Sequence, residues 1–156
     1  MKSSGNLQIT SSLSSQELED YRNWLASIIV DYENKSSQWA QNYFEENGVF
    51  ELQGLGEFVG RKDLKEYLDW TYQAMKSFEV DPKSAHFLKH QIVFVIEVKV
   101  DFKKGDPVDL SWVVVVDKEP ESGRMAHCKI YGETSAFVST AMKNSGPIRG
   151  LTRPFK

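Results

Sequence analysis

At 156 residues the chain fits one domain with a single substantial core and is too short for two ordinary ones. Hydrophobic residues at 40% and charged residues at 26% lie near globular averages, which excludes disordered and fibrous classes. A formal net charge of -3 gives no general attraction to nucleic acid or anionic lipid, and a single cysteine, Cys128, excludes an intrachain disulfide.

Residues 1–13 carry no apolar core of signal-peptide length and read as a flexible lead-in. No later run approaches the roughly 18 apolar residues of a membrane span, so a soluble, cytoplasmic protein with no membrane partner is expected. Ser14 and Glu17 then have capping-box spacing, with Leu13 and Leu18 placed as a hydrophobic staple across the cap. Leu18, Tyr21, Leu25, Ile28 and Tyr32 follow at spacings of three and four, giving a helix with one apolar face that ends near Glu33. Ser36 or Ser37 is placed to cap a short second helix holding Trp39, Tyr43 and Phe44, closed by Gly48. The segment VFELQGLGEFVG alternates as a hairpin turning at Gly54 and Gly56, with Phe50 and Leu52 on one face and Val49, Glu51 and Gln53 on the other. From Arg61 to Phe78 the helical period returns, with Leu64, Tyr67, Leu68, Thr71, Met75 and Phe78 on a stripe, and Asp81-Pro82 closes this third helix.

The run SAHFLKHQIVFVIEVKVDF, Ser84 to Phe102, sorts onto two faces as one extended strand. One face holds His86, Leu88, His90, Ile92, Phe94, Ile96, Val98 and Val100, apolar except for two histidines at its start. Lys104-Gly105-Asp106-Pro107 turns the chain into a second long strand, Val108 to Asp117, whose even positions include Leu110, Trp112 and Val114. Val93, Val95, Val113 and Val115 fall on the face away from the helices, so a second copy of the chain is expected there, making a homodimer through the sheet. A third long strand spans Arg124 to Glu133, with His127, Lys129 and Tyr131 outside, and Ser135 to Lys143 forms a last helical turn or two. Residues 144–156 are a basic tail, either loose or folded over a pocket mouth.

This order of elements is α+β. The stretch QWAQNYFEENGVFELQGLGEFVGRKDLKEYL resembles the nuclear transport factor 2-like superfamily in its helix, its F-x-x-x-G-x-F strand entrance and its G-R-x-x-L-x-x-Y-L helix start. The superfamily includes SnoaL-type polyketide cyclases, ketosteroid isomerases, limonene-epoxide hydrolases and scytalone dehydratase. The resemblance covers roughly Leu18 to Val138 and implies a cone: a curved antiparallel sheet wrapped around three N-terminal helices, with an internal pocket, as one SnoaL-like domain over 14–143. Arg61 is expected to meet a carboxylate such as Glu133. Tyr32-Glu33 and His86-Phe87 are similar to Tyr-Asp and His-Phe pairs of scytalone dehydratase. That likeness makes His86 the general base or acid, Glu33 its orienting partner and Tyr32 the group that polarises a substrate oxygen. The second histidine of that family has no counterpart on Val108 to Asp117. The Asp-Arg-Asp set of limonene-epoxide hydrolases is not matched either, the comparable places holding Lys99, Asp101 and Ile130.

His90 is a second candidate proton carrier, and Trp39, Phe50, Glu51, Tyr67, Phe94 and Trp112 are candidate substrate-binding residues. Two readings stand. One is a cofactor-free and metal-free lyase, isomerase or cyclase of secondary metabolism, acting by proton transfer on a small polyketide-, terpenoid- or aromatic-like molecule. The other is a non-catalytic ligand-binding or dimerisation module on the same fold. They part on whether His86 and Glu33 face each other across an open cavity.

Overall fold

The computed structural model describes residues 7–155. It consists of β1 (Gln8–Ser11), α1 (Ser15–Glu33), α2 (Trp39–Tyr43), β2 (Phe44–Leu52), β3 (Gly56–Val59), α3 (Arg61–Ala74), β4 (Met75–Leu88), β5 (Gln91–Phe102), β6 (Val108–Lys118), β7 (Met125–Gly132), α4 (Ser135–Ser145) and β8 (Arg153–Pro154). One curved sheet takes all eight strands in the order β1-β4-β5-β6-β7-β2-β3-β8, and the helices fill its inner side as an α+β cone. The sheet is mixed rather than purely antiparallel, because β2 runs parallel to β7 and β1 parallel to β4.

The capping box forms as the spacing requires: the Ser14 side chain accepts from the Glu17 backbone N–H, and the Glu17 carboxylate accepts from that of Ser14 at 3.1 Å. Leu25, Ile28 and Ile29 are the buried residues of α1. Helix α2 starts at Trp39 with Gln38 as its N-cap and no side-chain bond from Ser36 or Ser37 to its first turn. Phe44 already belongs to β2, which runs through Gly48 instead of stopping there.

The largest correction concerns Ser84 to Phe102, which is two strands and a turn. Lys89 and His90 connect β4 to β5, with Leu88 opposite Gln91 and His86 opposite Val93. His90 takes the left-handed turn conformation at φ 68°, a region where histidine is over-represented among non-glycine residues. Because Leu88 pairs with Gln91, the even-numbered residues Ser84, His86 and Leu88 share a face with odd-numbered residues of β5, up to the register irregularity between Pro82 and Ser84. Phe94 and Ile96 point inward as expected, but so do Ala85 and Phe87, and His86 points out. Helix α3 stops at Ala74, and β4 absorbs Met75 to Asp81 together with Pro82, where a register irregularity accommodates the missing N–H.

Among the described residues, segments near both ends of the chain pair with the sheet. Residues 1–6 lie outside the described residues, but Gln8–Ser11 pair with Ser84–Phe87. At the other end α4 is a full helix, the Trp70 indole donates to the Gly146 carbonyl at 3.0 Å, and β8 pairs with β3. This path requires Gly150, at φ 77°: a Cβ there would collide with the Asp63 carbonyl at the start of α3. Arg61 is part of the same region, and its guanidinium donates to the Phe44 carbonyl at 2.8 Å rather than meeting Glu133.

Candidate functional site

Helix α1 lies across the inner face of the sheet and encloses, with α2 and strands β2 and β4 to β7, a cavity of about 80 Å³. Its wall is formed by Leu25, Ile28, Ile29 and Tyr32 from α1, Trp39 from α2, and Phe50, Phe78, Val80, Phe94, Trp112, Cys128 and Ile130 among others from the sheet. Both indole N–H groups are already bonded to backbone, Trp39 to the Ile28 carbonyl and Trp112 to the Glu133 carbonyl, each at 2.9 Å. The rings therefore offer the cavity apolar surface alone. Tyr32 packs edge-on to Phe78, Trp39 and Tyr72, with centroids 4.7, 5.3 and 5.5 Å away.

Two ionisable side chains line this wall, Tyr32 and Cys128. Burial pushes the Tyr32 phenol well above its ordinary value, an effect the neighbouring Thr71 hydroxyl only partly offsets. Burial likewise pushes the Cys128 thiol up to about 12, with a smaller contribution from Asp117. Both groups therefore stay protonated and neutral near pH 7. The hollow is an apolar chamber with one phenol that can donate a hydrogen bond.

Five of the expected site residues, Tyr32, Trp39, Phe50, Phe94 and Trp112, meet at this wall. The others do not. Tyr67 is 1% exposed and lies in a core stack, 4.2 Å from the Phe58 ring and 5.9 Å from Trp70, outside the wall. His86 stands on the outer face of the sheet, exposed, and hydrogen-bonds the Thr10 hydroxyl of β1. Glu33 turns to β4, where its carboxylate accepts from the Val80 backbone N–H at 2.8 Å. The structure thus separates the proposed base from its proposed partner by the thickness of the sheet, because the turn at Lys89-His90 reverses the parity of β4. His90 serves that turn, its backbone N–H donating to the Tyr21 hydroxyl and its carbonyl accepting from Lys118. Glu51 is only 5% exposed but also faces outward, bonded to Lys129 at 2.8 Å and His127 at 3.2 Å. A larger depression, about 440 Å³, lies on the outer face among Glu79, Asp81, Glu97, Lys99 and Asp109, a charged trough where Lys83 bridges Asp81 and Glu97. Among the described residues no group of three His, Cys, Asp or Glu side chains gathers as metal ligands would, and no helix is long and apolar enough to cross a membrane.

No family model matches the sequence, and no curated protein matches it by sequence. Solved structures do match by shape. A SnoaL-like polyketide cyclase from Shewanella denitrificans OS-217 superposes with a TM-score of 0.66 at 10% identity, over 78% of this chain and 96% of that one. An NTF2-like protein of unknown function from Burkholderia pseudomallei K96243 gives 0.64 at 12% identity, over 79% and 95%. TerC, co-crystallised with polyporic acid, gives 0.62 at 12% identity, over 75% and 94%. The chain has the nuclear transport factor 2-like fold. Identities this low concern the fold and leave the chemistry to this chain's own residues.

In this nuclear transport factor 2-like chain, the wall residues that the sequence reading missed are chiefly Phe78, Val80 and Cys128. Phe78 and Val80 alternate as inward positions of β4, a period-2 signal present in the sequence but overlaid by the helical spacing of Met75 and Phe78. Cys128 shares the inward face of β7 with Ile130, which alternation alone would have placed.

Proposed function

We propose that this protein binds a small, mostly apolar molecule in the hollow of its cone, and that the hollow is a binding chamber without a proton carrier of its own. The observation that carries this reading is the wall itself: apolar rings and aliphatic side chains, with Tyr32 and Cys128 held neutral by burial. The imidazole and carboxylate assigned to acid–base work sit elsewhere, so the lyase or isomerase reading has no base in the place where substrate would lie. A cavity of about 80 Å³ is about half the roughly 150 Å³ apolar cavity that admits benzene, which limits a fully enclosed guest to less than one relaxed aromatic ring. Co-crystallisation of TerC with polyporic acid, a ligand of another protein of this shape, is in keeping with small-molecule binding.

A second copy of the chain on the outer face belongs to the same reading. Val113 is 37% exposed and Tyr131 39% exposed, and with Val93, Val95 and Val115 they form an apolar strip across three adjacent strands. An intracellular, cytoplasmic setting suits a chain with one free, buried thiol. The test of the chamber is a titration with xenon, followed by ¹²⁹Xe line broadening and by amide shifts in the protein. Shifts confined to Ile28, Ile29, Phe94, Val114 and Cys128 are expected; their absence up to millimolar probe would end the proposal.

A further inference from the structure

The chamber has a neighbour. Between α1 and the β1–β4 edge lies a cleft of about 180 Å³, lined by Glu19, Arg22, Asn23 and Ala26 from α1 and by Leu7, Pro82, Ala85 and Phe87 from the sheet edge. Leu25, Ile29 and Phe94 line both the cleft and the chamber. Three side chains therefore stand between a space lined mostly by buried residues and one rimmed by the exposed Leu7, Glu19, Arg22 and Asn23. The cleft exists because the two elements meet through small residues: Ala26 on α1 and Ala85 on β4 stand where leucine-sized chains would close the gap. The irregularity between Pro82 and Ser84 bends β4 at the same level.

The rim differs from the interior. Arg22 and Glu19 are exposed one helical turn apart, and neither makes a hydrogen bond or ion pair among the described residues. A guanidinium at the mouth of an apolar passage is suited to hold a planar carboxylate through paired N–H donors. The chamber alone is about half the volume that admits benzene, so a ligand with a ring must extend past Leu25, Ile29 and Phe94 into the cleft.

We infer that the cleft between α1 and β4 is the entrance to the chamber, and that the ligand is an elongated amphipathic acid whose ring or branched end reaches past Leu25, Ile29 and Phe94 from the cleft into the chamber, with its carboxylate at Arg22. This rests on the binding reading given above. Leu25, Ile29 and Phe94 act as a gate whose side-chain rotation joins the two spaces. Asn23 supplies a neutral donor and acceptor beside the carboxylate.

The probes are 4-phenylbutanoate and its uncharged methyl ester, with binding followed by stopped-flow quenching of Trp39 and Trp112, whose rings form part of the chamber wall. Three variants are compared with the unmodified protein: Ala26→Leu and Ala85→Leu, which narrow the cleft from opposite sides, and Arg22→Gln. Both probes should bind the unmodified protein, and either leucine variant should slow their association by about tenfold or more while circular dichroism confirms an intact fold. Arg22→Gln should weaken the acid by about three- to fivefold, the scale of an exposed ion pair, and leave the ester unchanged. Unchanged association rates in both leucine variants would overturn the entrance while leaving the chamber reading intact. Equal effects of Arg22→Gln on acid and ester, or none on either, would overturn the carboxylate assignment. Failure of both probes to bind the unmodified protein would overturn the chamber reading as well.

Discussion

Replacing Cys128 with leucine should stabilise the protein and abolish ligand binding together. The thiol lies on the chamber wall, and the substitution puts three carbons in place of one sulfur at a site 5% exposed. At about 24 cal/mol per Å³ of cavity, the hollow of about 80 Å³ carries about 2 kcal/mol of unrealised packing. A leucine fills about half of it, so Cys128→Leu should gain about 1 kcal/mol and raise Tm by about 2–4 °C in a domain of this size. Urea unfolding followed by far-UV circular dichroism measures this as a rise in midpoint at unchanged slope. Xenon binding should be lost in the same variant. A loss of about 1 kcal/mol or more would mean that the wall is already close-packed around the thiol, because overpacking costs that much. The chamber would then not exist as a binding space.

Three further outcomes follow from residues placed above. His86→Ala should leave probe affinity within about twofold, since the imidazole is on the outer face; a tenfold loss in the same titration would put it back in the site. Val113→Glu should convert a dimer to a species of 17.9 kDa in light scattering at micromolar concentration, and a parent protein already at that mass would remove the dimer. The Cys128 thiol, held up at about 12 against an ordinary 9.0, keeps its proton in the folded state while the unfolded state loses it. Its contribution to stability is therefore intact below about pH 9 and declines between pH 9 and about 12. Cys128→Val should flatten the alkaline loss of stability measured by urea melts at pH 8, 9 and 10, and an unchanged slope would contradict the burial of the thiol.

Much of this architecture is legible before any coordinates. The Ser14–Glu17 box, the turn after Phe102 and the alternation of Leu110, Trp112 and Val114 each involve local rules that tertiary contacts do not override, and each is found in place. The turn at Lys89-His90 was hidden for a physical reason: it carries no glycine, proline or asparagine, and apolar residues alternate on both sides of it. A continuous period-2 pattern cannot distinguish one long strand from two joined by a two-residue turn, and mistaking them moves every preceding side chain to the other face. His86 fell on the wrong side of the sheet through that single ambiguity. Helix α3 was overextended by the opposite confusion, since Met75 and Phe78 fit either period. The aromatic residues of the wall were identified by type and position, whereas Tyr67 shows that a helical stripe reports burial and not which buried residues border a hollow.

The margins of the sheet restrict how the molecule can associate. On one flank, among the described residues, β1 pairs with Ser84–Phe87 of a fourteen-residue neighbour that also carries Lys76, Pro82 and Lys83. On the other flank a two-residue strand ends at Pro154. Proline cannot donate to an incoming backbone, and a lysine would have to give up its hydration to accept one. Strand-by-strand growth into a filament is disfavoured at both flanks, which leaves the broad valine-bearing surface as the place where a second copy would sit.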